Sequence, residues 1–285
     1  MASVRIIARD ARDRIGEGPL WSARENALYW VDILGQKVSR LRLGDGALVS
    51  WDMPEMIGWV IERAQGPGFV AGFASGFAFL QLDPLRITPI ISPEPDHPDN
   101  RLNDAKADHI GRIWAGTMPI DCATPVGSFY RLDPDLGLAR VDTGYCVTNG
   151  PAISRDGRWL YHTDSVAGEV YRFAMHDDGS LGPREPFIRF EPDWGLPDGM
   201  TVDAEDGLWI AHWGAGCVSR FTPDGKRERA ISLPASQITS CAFAGADLDR
   251  MFVTSAAEGV DEPHGGALFE VDPGCKGLPT CRFGG

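Results

Sequence analysis

Three oxygen-bearing side chains stand beside glycine in short stretches: Glu17 in Gly-Glu-Gly, Asn149 in Asn-Gly and Asp198 in Pro-Asp-Gly. Singly they read as turn chemistry, because Asn-Gly and Asp-Gly are common turn pairs and a glutamate between glycines suits a surface loop. As a set they are two carboxylates and an amide. Such hard donors suit Ca2+, Mg2+ or Mn2+, and also admit Zn2+ or Fe2+. Three protein ligands leave positions for water and substrate, as a catalytic metal site requires. A carboxylate in that set is also a candidate general base. All of this depends on whether the chain brings residues so far apart to one place.

A repeat does so. Units with the same grammar start at residues 17, 58, 103, 149, 198 and 240, separated by 41, 45, 46, 49 and 42 residues. Each opens on small or polar residues and a short apolar strand. A turn rich in Asp, Gly or Arg follows, then an aromatic-aliphatic strand such as "RIWAGT", "WLYHTD" or "LWIAHW". A third, alternating strand comes after a loop, as in "SFYRLD" and "EVYRFA". Period-2 alternation bounded by Gly and Asp marks strands, and no helical period is sustained. A period in the forties with three or four strands per unit predicts a β-propeller, and six units predict six blades. The chain is therefore expected to be all-β, one six-bladed domain spanning 1–285, with the N-terminal "VRIIARDA" completing the last blade beside residues 267–272.

In a propeller the first strand of each blade lines the channel, so the blade starts converge: Glu17, Gly58, Asn103, Asn149, Asp198 and Ser240. Buried carboxylates are costly unless paired or bound to a cation. No Lys or Arg recurs at these starts, and Arg101 is the nearest candidate. A divalent cation in the central channel held by Glu17, Asn149 and Asp198 resolves the cost. The second strands end on the same face, at Asp32, Thr117 to Asp121, His162 to Asp164 and His212 to Trp213, giving a polar rim to a narrow pocket. His162 and His212 are expected to be packed and hydrogen-bonded rather than catalytic. Asp164 either orients a ligand or serves a structural site.

Composition narrows the partners. The 285 residues are 43% hydrophobic and 24% charged, with a formal net charge of −13. An acidic chain lacks the basic face that nucleic acid or an anionic membrane surface needs. No apolar run approaches the ~18 residues of a membrane span. The N-terminus has no apolar h-region, so no signal peptide is expected. The six cysteines form no C-x-x-C and read as reduced thiols in a cytoplasmic protein, with Cys275 and Cys281 the one pair close enough in sequence to bridge. No G-x-S-x-G, H-E-x-x-H or P-loop is present, so a serine-nucleophile hydrolase is unsupported.

The motifs "GEGPLW" (16–21), "RLNDAKAD" (101–108), "GRIWAGTM" (111–118), "TNGPAIS" (148–154), "HTDS" (162–165) and "PDG" (197–199) together resemble the SMP-30/gluconolactonase/LRE (regucalcin-like) family, nearest to its bacterial sugar lactonases. They span nearly the whole chain in the family's order. The resemblance implies a six-bladed propeller with one divalent cation, its ligands matching Glu17, Asn149 and Asp198. It implies substrate contacts at Arg101 and Asn103, and at Asp121, where regucalcin-like members carry a glutamate. The segment 119–127 then forms part of a lid. The expected activity is metal-dependent hydrolysis of a sugar lactone, with Asp198 as general base and a monomer or small homo-oligomer as the working form. An organophosphatase or arylesterase of the same architecture and a non-catalytic calcium-binding propeller are the competing readings. Arg101 also has a structural alternative, an ion pair with Asp99 or Asp104.

Overall fold

A computed structural model describes residues 3–285 and forms six four-stranded antiparallel sheets from them. The inner strands are Gly16–Ser22, Ile57–Glu62, Asn100–Ala107, Thr148–Ile153, Leu196–Val202 and Ile238–Ala244. Consecutive inner strands touch, and Gly16–Ser22 also touches Ile238–Ala244, so the six sheets close a ring. Among the described residues the one helical element is a 3-10 turn, Pro192–Trp194. None is long and apolar enough to cross a membrane.

The predicted closure is present. Val4–Ile6 pairs with Phe269–Val271, with Val4 opposite Val271 and Ile6 opposite Phe269, as the outer strand of the sixth sheet. The fourth strands, absent from the repeat grammar of the sequence, include Leu48–Asp52, Leu85–Ile91 and Leu138–Tyr145. They are largely exposed, so their apolar pattern is weak.

Tryptophan packs in the apolar seams between blades and is anchored within its own. Trp30, Trp59, Trp114 and Trp209 are fully buried. Three of them donate their indole N–H to a buried carboxylate: Trp30 to Asp13 at 3.0 Å, Trp114 to Asp108 at 3.0 Å and Trp209 to Asp203 at 2.9 Å. The same carboxylates pair with Arg9, Arg112 and Arg220 at 2.7, 2.6 and 2.6 Å. The tryptophans are therefore core, as their strand positions predict.

One irregularity recurs at a single level of the channel. Every inner strand breaks register near its start, between Glu17 and Leu20, Ile57 and Trp59, Leu102 and Ala105, Asn149 and Ala152, Pro197 and Met200, and Ile238 and Ser240. A bulge re-aims the side chains it carries and sharpens the local twist. Glycine lets these bulges pack: a methyl on Gly58 would overlap the Asn103 carbonyl oxygen, and one on Gly199 would overlap Ser240. Gly58→Ala is expected to cost ~1–3 kcal/mol through forced backbone movement. A denaturant midpoint equal to that of the unsubstituted chain would refute the close-packing account.

The C-terminal segment crosses the opposite end of the ring. Asp203 bridges Gly277, Arg63 bridges Phe283, and the Gly284 N–H donates to Gly111 O at 3.0 Å. These partners lie at the turns joining first and second strands, so the segment spans the far mouth, with Phe283 wholly buried.

Candidate active site in the channel

The bulges gather the predicted residues. Glu17, Asn149 and Asp198 are each 5% exposed and come from the first, fourth and fifth blades. Arg101, Asn103 and Asp104, from the third blade, are buried beside them. Asp104 was not predicted as a site residue. It follows Asn103 in the same bulge, and its carboxylate accepts the Ala105 N–H at 2.7 Å and the Gly150 N–H at 3.0 Å. That second bond ties the bulge of the third blade to that of the fourth.

The carboxylates are electrostatically strained. Burial, with Asp104's charge next in weight, pushes Glu17 up to about 8. Burial and then the Glu17 charge push Asp198 well above the ordinary carboxylate range. Glu17 accepts the Gly18 N–H at 2.7 Å. Asp198 Oδ1 is buried with no hydrogen-bond partner. An unpartnered carboxylate oxygen beside a second buried carboxylate fits a cation, which would supply the missing partner and lower both pKa values. Among the described residues no three His, Cys, Asp or Glu side chains cluster as a metal site; the set here is two carboxylates and an amide.

Hydrogen bonds join the remaining polar groups. Arg101 Nη1 donates to Asn103 Oδ1 at 2.7 Å and to Leu102 O at 3.1 Å, and Arg101 is ion-paired with neither Asp99 nor Asp104. Asn103 Nδ2 donates to Thr148 O at 2.6 Å and to Asn149 Oδ1 at 2.9 Å. Asn149 Nδ2 donates to Ser165 Oγ at 2.9 Å.

Asp121 lies apart from this group. It is exposed on the loop after the second strand of the third blade, and its carboxylate accepts the Ala123 N–H at 2.9 Å, the Thr124 N–H at 3.1 Å and the Thr124 hydroxyl at 2.6 Å. It borders a hollow of about 560 Å³ on the rim, together with Asp99, Ile120 and Thr124. A cavity of about 340 Å³ runs down the channel below the carboxylates, lined by Asp104, Lys106 and Ser240 and by Leu278 to Cys281 of the C-terminal segment.

The rim residues read from the sequence serve the scaffold, as expected of His212 and as one of the two readings of Asp164 allowed. Asp32, Thr117, Asp164 and His212 stand opposite Gly16, Leu102, Thr148 and Pro197, each one residue before a site position. Each turns its polar atoms to the loop that leads into an inner strand. Asp32 accepts the N–H groups of Arg14 and Ile15 at 2.9 and 3.0 Å. Thr117 donates to Glu94 at 2.9 Å. Asp164 accepts those of Cys146 and Val147 at 3.2 and 3.3 Å. His212 Nδ1 bonds Trp194 O at 2.7 Å.

Both histidines are packed. His162 stacks on Phe129 with ring centroids 3.9 Å apart and meets Tyr145 edge-on at 4.8 Å, but neither ring nitrogen has a hydrogen-bond partner. Burial pushes His162 down to about 3 and His212 to about 4, so both are neutral at pH 7. All six cysteines are free thiols, Cys275 and Cys281 included.

A ring of six four-stranded blades closed about a central channel defines a six-bladed β-propeller. Residues 15–257 match the family described as SMP-30/Gluconolactonase/LRE-like region, and the chain belongs to it. Regucalcin of Danio rerio is 36% identical, with both chains covered in full. The L-arabinolactonase of Azospirillum brasilense is 35% identical over 100% of this chain and 97% of its own. A solved calcium-binding protein, regucalcin from Agrobacterium tumefaciens, superposes with a TM-score of 0.93 at 27% identity, covering 99% of this chain and 97% of its own.

Proposed function

We propose that the chain hydrolyses an aldonolactone to its aldonic acid in the channel. The observation that carries this reading is the unpartnered, buried Asp198 oxygen beside Glu17. The relative named L-arabinolactonase, matched along nearly its whole length, supports the substrate class. Glu17, Asn149 and Asp198 would hold a divalent cation, Ca2+, Mg2+, Mn2+, Zn2+ or Fe2+, which when bound supplies Lewis-acid polarisation of the lactone carbonyl.

Asp198 is the general base. With one carboxylate oxygen on the cation, the other would take a proton from a water as that water attacks the carbonyl carbon. The same carboxylic acid then returns the proton to the ring oxygen as the ring C–O bond breaks. Arg101 and Asn103 hold the ring oxygen and hydroxyls of the lactone. The Arg101 guanidinium is held by Asn103 and the Leu102 carbonyl rather than by a carboxylate, which leaves its charge available to substrate oxygens. Asp121 reaches the substrate only if its loop gives up the Ala123 and Thr124 bonds.

The test is acid release from five- and six-membered aldonolactones by protein stripped with a chelator and reloaded with each cation, the spontaneous rate subtracted. Release above that rate, lost on stripping and restored on reloading, is expected. No release from protein shown to bind a cation would refute lactone hydrolysis and transfer the site to phosphotriesters or to cation binding alone.

A further inference from the structure

Of the three side chains assigned to the cation, two offer oxygen whichever way they rotate. Asn149 does not: its amide presents oxygen one way and, turned over, a nitrogen with no lone pair to give. The surrounding hydrogen bonds decide which end is offered. Arg101 can only donate, so Asn103 presents Oδ1 to it at 2.7 Å. Asn103 Nδ2 must then donate, and it does so to Thr148 O at 2.6 Å, an atom that can only accept. The polarity of Asn103 is thus fixed from both sides. Its remaining N–H goes to Asn149 Oδ1 at 2.9 Å, and Asn149 Nδ2 goes to Ser165 Oγ at 2.9 Å.

Ser165 is well placed to end this relay. It is 6% exposed. Its own N–H donates to Val147 O and its carbonyl accepts the Gly168 N–H, both at 3.0 Å, so the hydroxyl sits on fixed backbone. We propose that Ser165 is a positioning residue for the cation: it holds the Asn149 amide nitrogen at the far end of a relay that starts at Arg101, so that oxygen is the end offered to the metal. One Asn149 Oδ1 lone pair receives Asn103, and the other is left for the cation. The inference rests on the metal reading above and concerns affinity rather than chemistry.

The experiment titrates metal-free protein calorimetrically with Mn2+ and Ca2+. Ser165→Ala is expected to weaken binding ~10–100-fold, the usual cost of losing an orienting partner behind a metal ligand. Ser165→Thr, which keeps the hydroxyl, should restore most of the affinity. Metal-free Ser165→Ala should unfold at a somewhat lower temperature, because the buried Asn149 amide loses its acceptor, while metal-free Ser165→Thr should stay near the unsubstituted chain. In an Asn149→Asp background both ends of the side chain are oxygen, so Ser165→Ala should cost clearly less there. Unchanged affinity in Ser165→Ala overturns the proposal, as does an equal loss in both backgrounds or a Ser165→Thr protein as weak as Ser165→Ala. An unsubstituted chain that binds neither cation overturns the metal reading and this inference together, an outcome distinct from tight binding that ignores Ser165.

Discussion

Asp198→Asn should release acid from lactones ~10²–10⁴-fold more slowly than the unsubstituted protein, the span a positioned general base supplies. The substitution keeps the shape of the side chain, so ring closure and the packing of Gly199 against Ser240 are undisturbed. It replaces a buried carboxylate, raised by its own burial and by Glu17, with a group that cannot take a proton. Folding of the variant is not at risk from lost charge, because the charge it removes is the destabilising one. The measurement is kcat with saturating cation, which separates proton transfer from metal affinity. Glu17→Gln provides the contrast: with Glu17 a ligand and not the base, that variant should recover much of its rate when the cation concentration is raised. An Asp198→Asn protein with an undiminished kcat would remove Asp198 from the chemistry.

Stripping the cation should lower the melting temperature by roughly 4–5 °C at pH 8, if the loaded protein is kept near a hundred times its dissociation constant. The gap should shrink towards pH 5. The sign follows from Glu17, whose pKa rises from the ordinary 4.5 to about 8 through burial. In the metal-free state the folded chain holds a proton at Glu17 that the unfolded chain has released. That contribution is complete below pH 4.5 and is lost as pH rises through about 8. Asp198 is raised by burial in the same direction. The histidines act oppositely: His162, pushed down to about 3, and His212, to about 4, cost stability as pH falls below 6.5. Their effect is common to both forms and cancels in the difference. Differential scanning calorimetry of stripped and loaded protein at both pH values measures the gap, and a gap that narrows with rising pH would contradict the buried-carboxylate account.

The architecture and the convergence of Glu17, Asn149 and Asp198 were legible in the sequence because both are periodic. Equivalent positions in equivalent units must meet on an axis, whatever their neighbours. The bulges were not legible, since one extra residue per inner strand does not alter a period that already drifts between 41 and 49. Of the fourth strands only the closing one at the N-terminus was located, because a strand exposed at the rim of a blade has little reason to alternate. Asp32 and Thr117, read as the polar rim of the pocket, instead brace the adjoining loops, whereas His212 is packed and hydrogen-bonded as expected and Asp164 takes the structural one of its two readings. Alternation says which side of a sheet a residue occupies, not whether its polar atoms turn to the pocket or to the adjoining loop. Asp121 is satisfied by the residues two and three places after it, a local competition that its distance from the channel motifs gave no reason to expect. Ser165 stood inside a quoted motif, and only the amide polarity running back to Arg101 gives its hydroxyl a direction.

The seam of the ring has a mechanical consequence. The outer strand that shuts the circle, Val4–Ile6, contributes three residue pairs. Between it and the first blade the joint is stitched by Ile7 to Leu268, Asp13 to Gly266 and Thr239 to the Gly16 carbonyl. Glu17 lies on one side of the sixth blade and Asp198 on the other, so the two carboxylates straddle the joint. In the bare protein a proton held at Glu17 relieves their repulsion, which loads this joint only as pH rises through about 8. A cation held by both would remove that load and act as a rivet, so the ion proposed to polarise the substrate would also keep the ring from springing open.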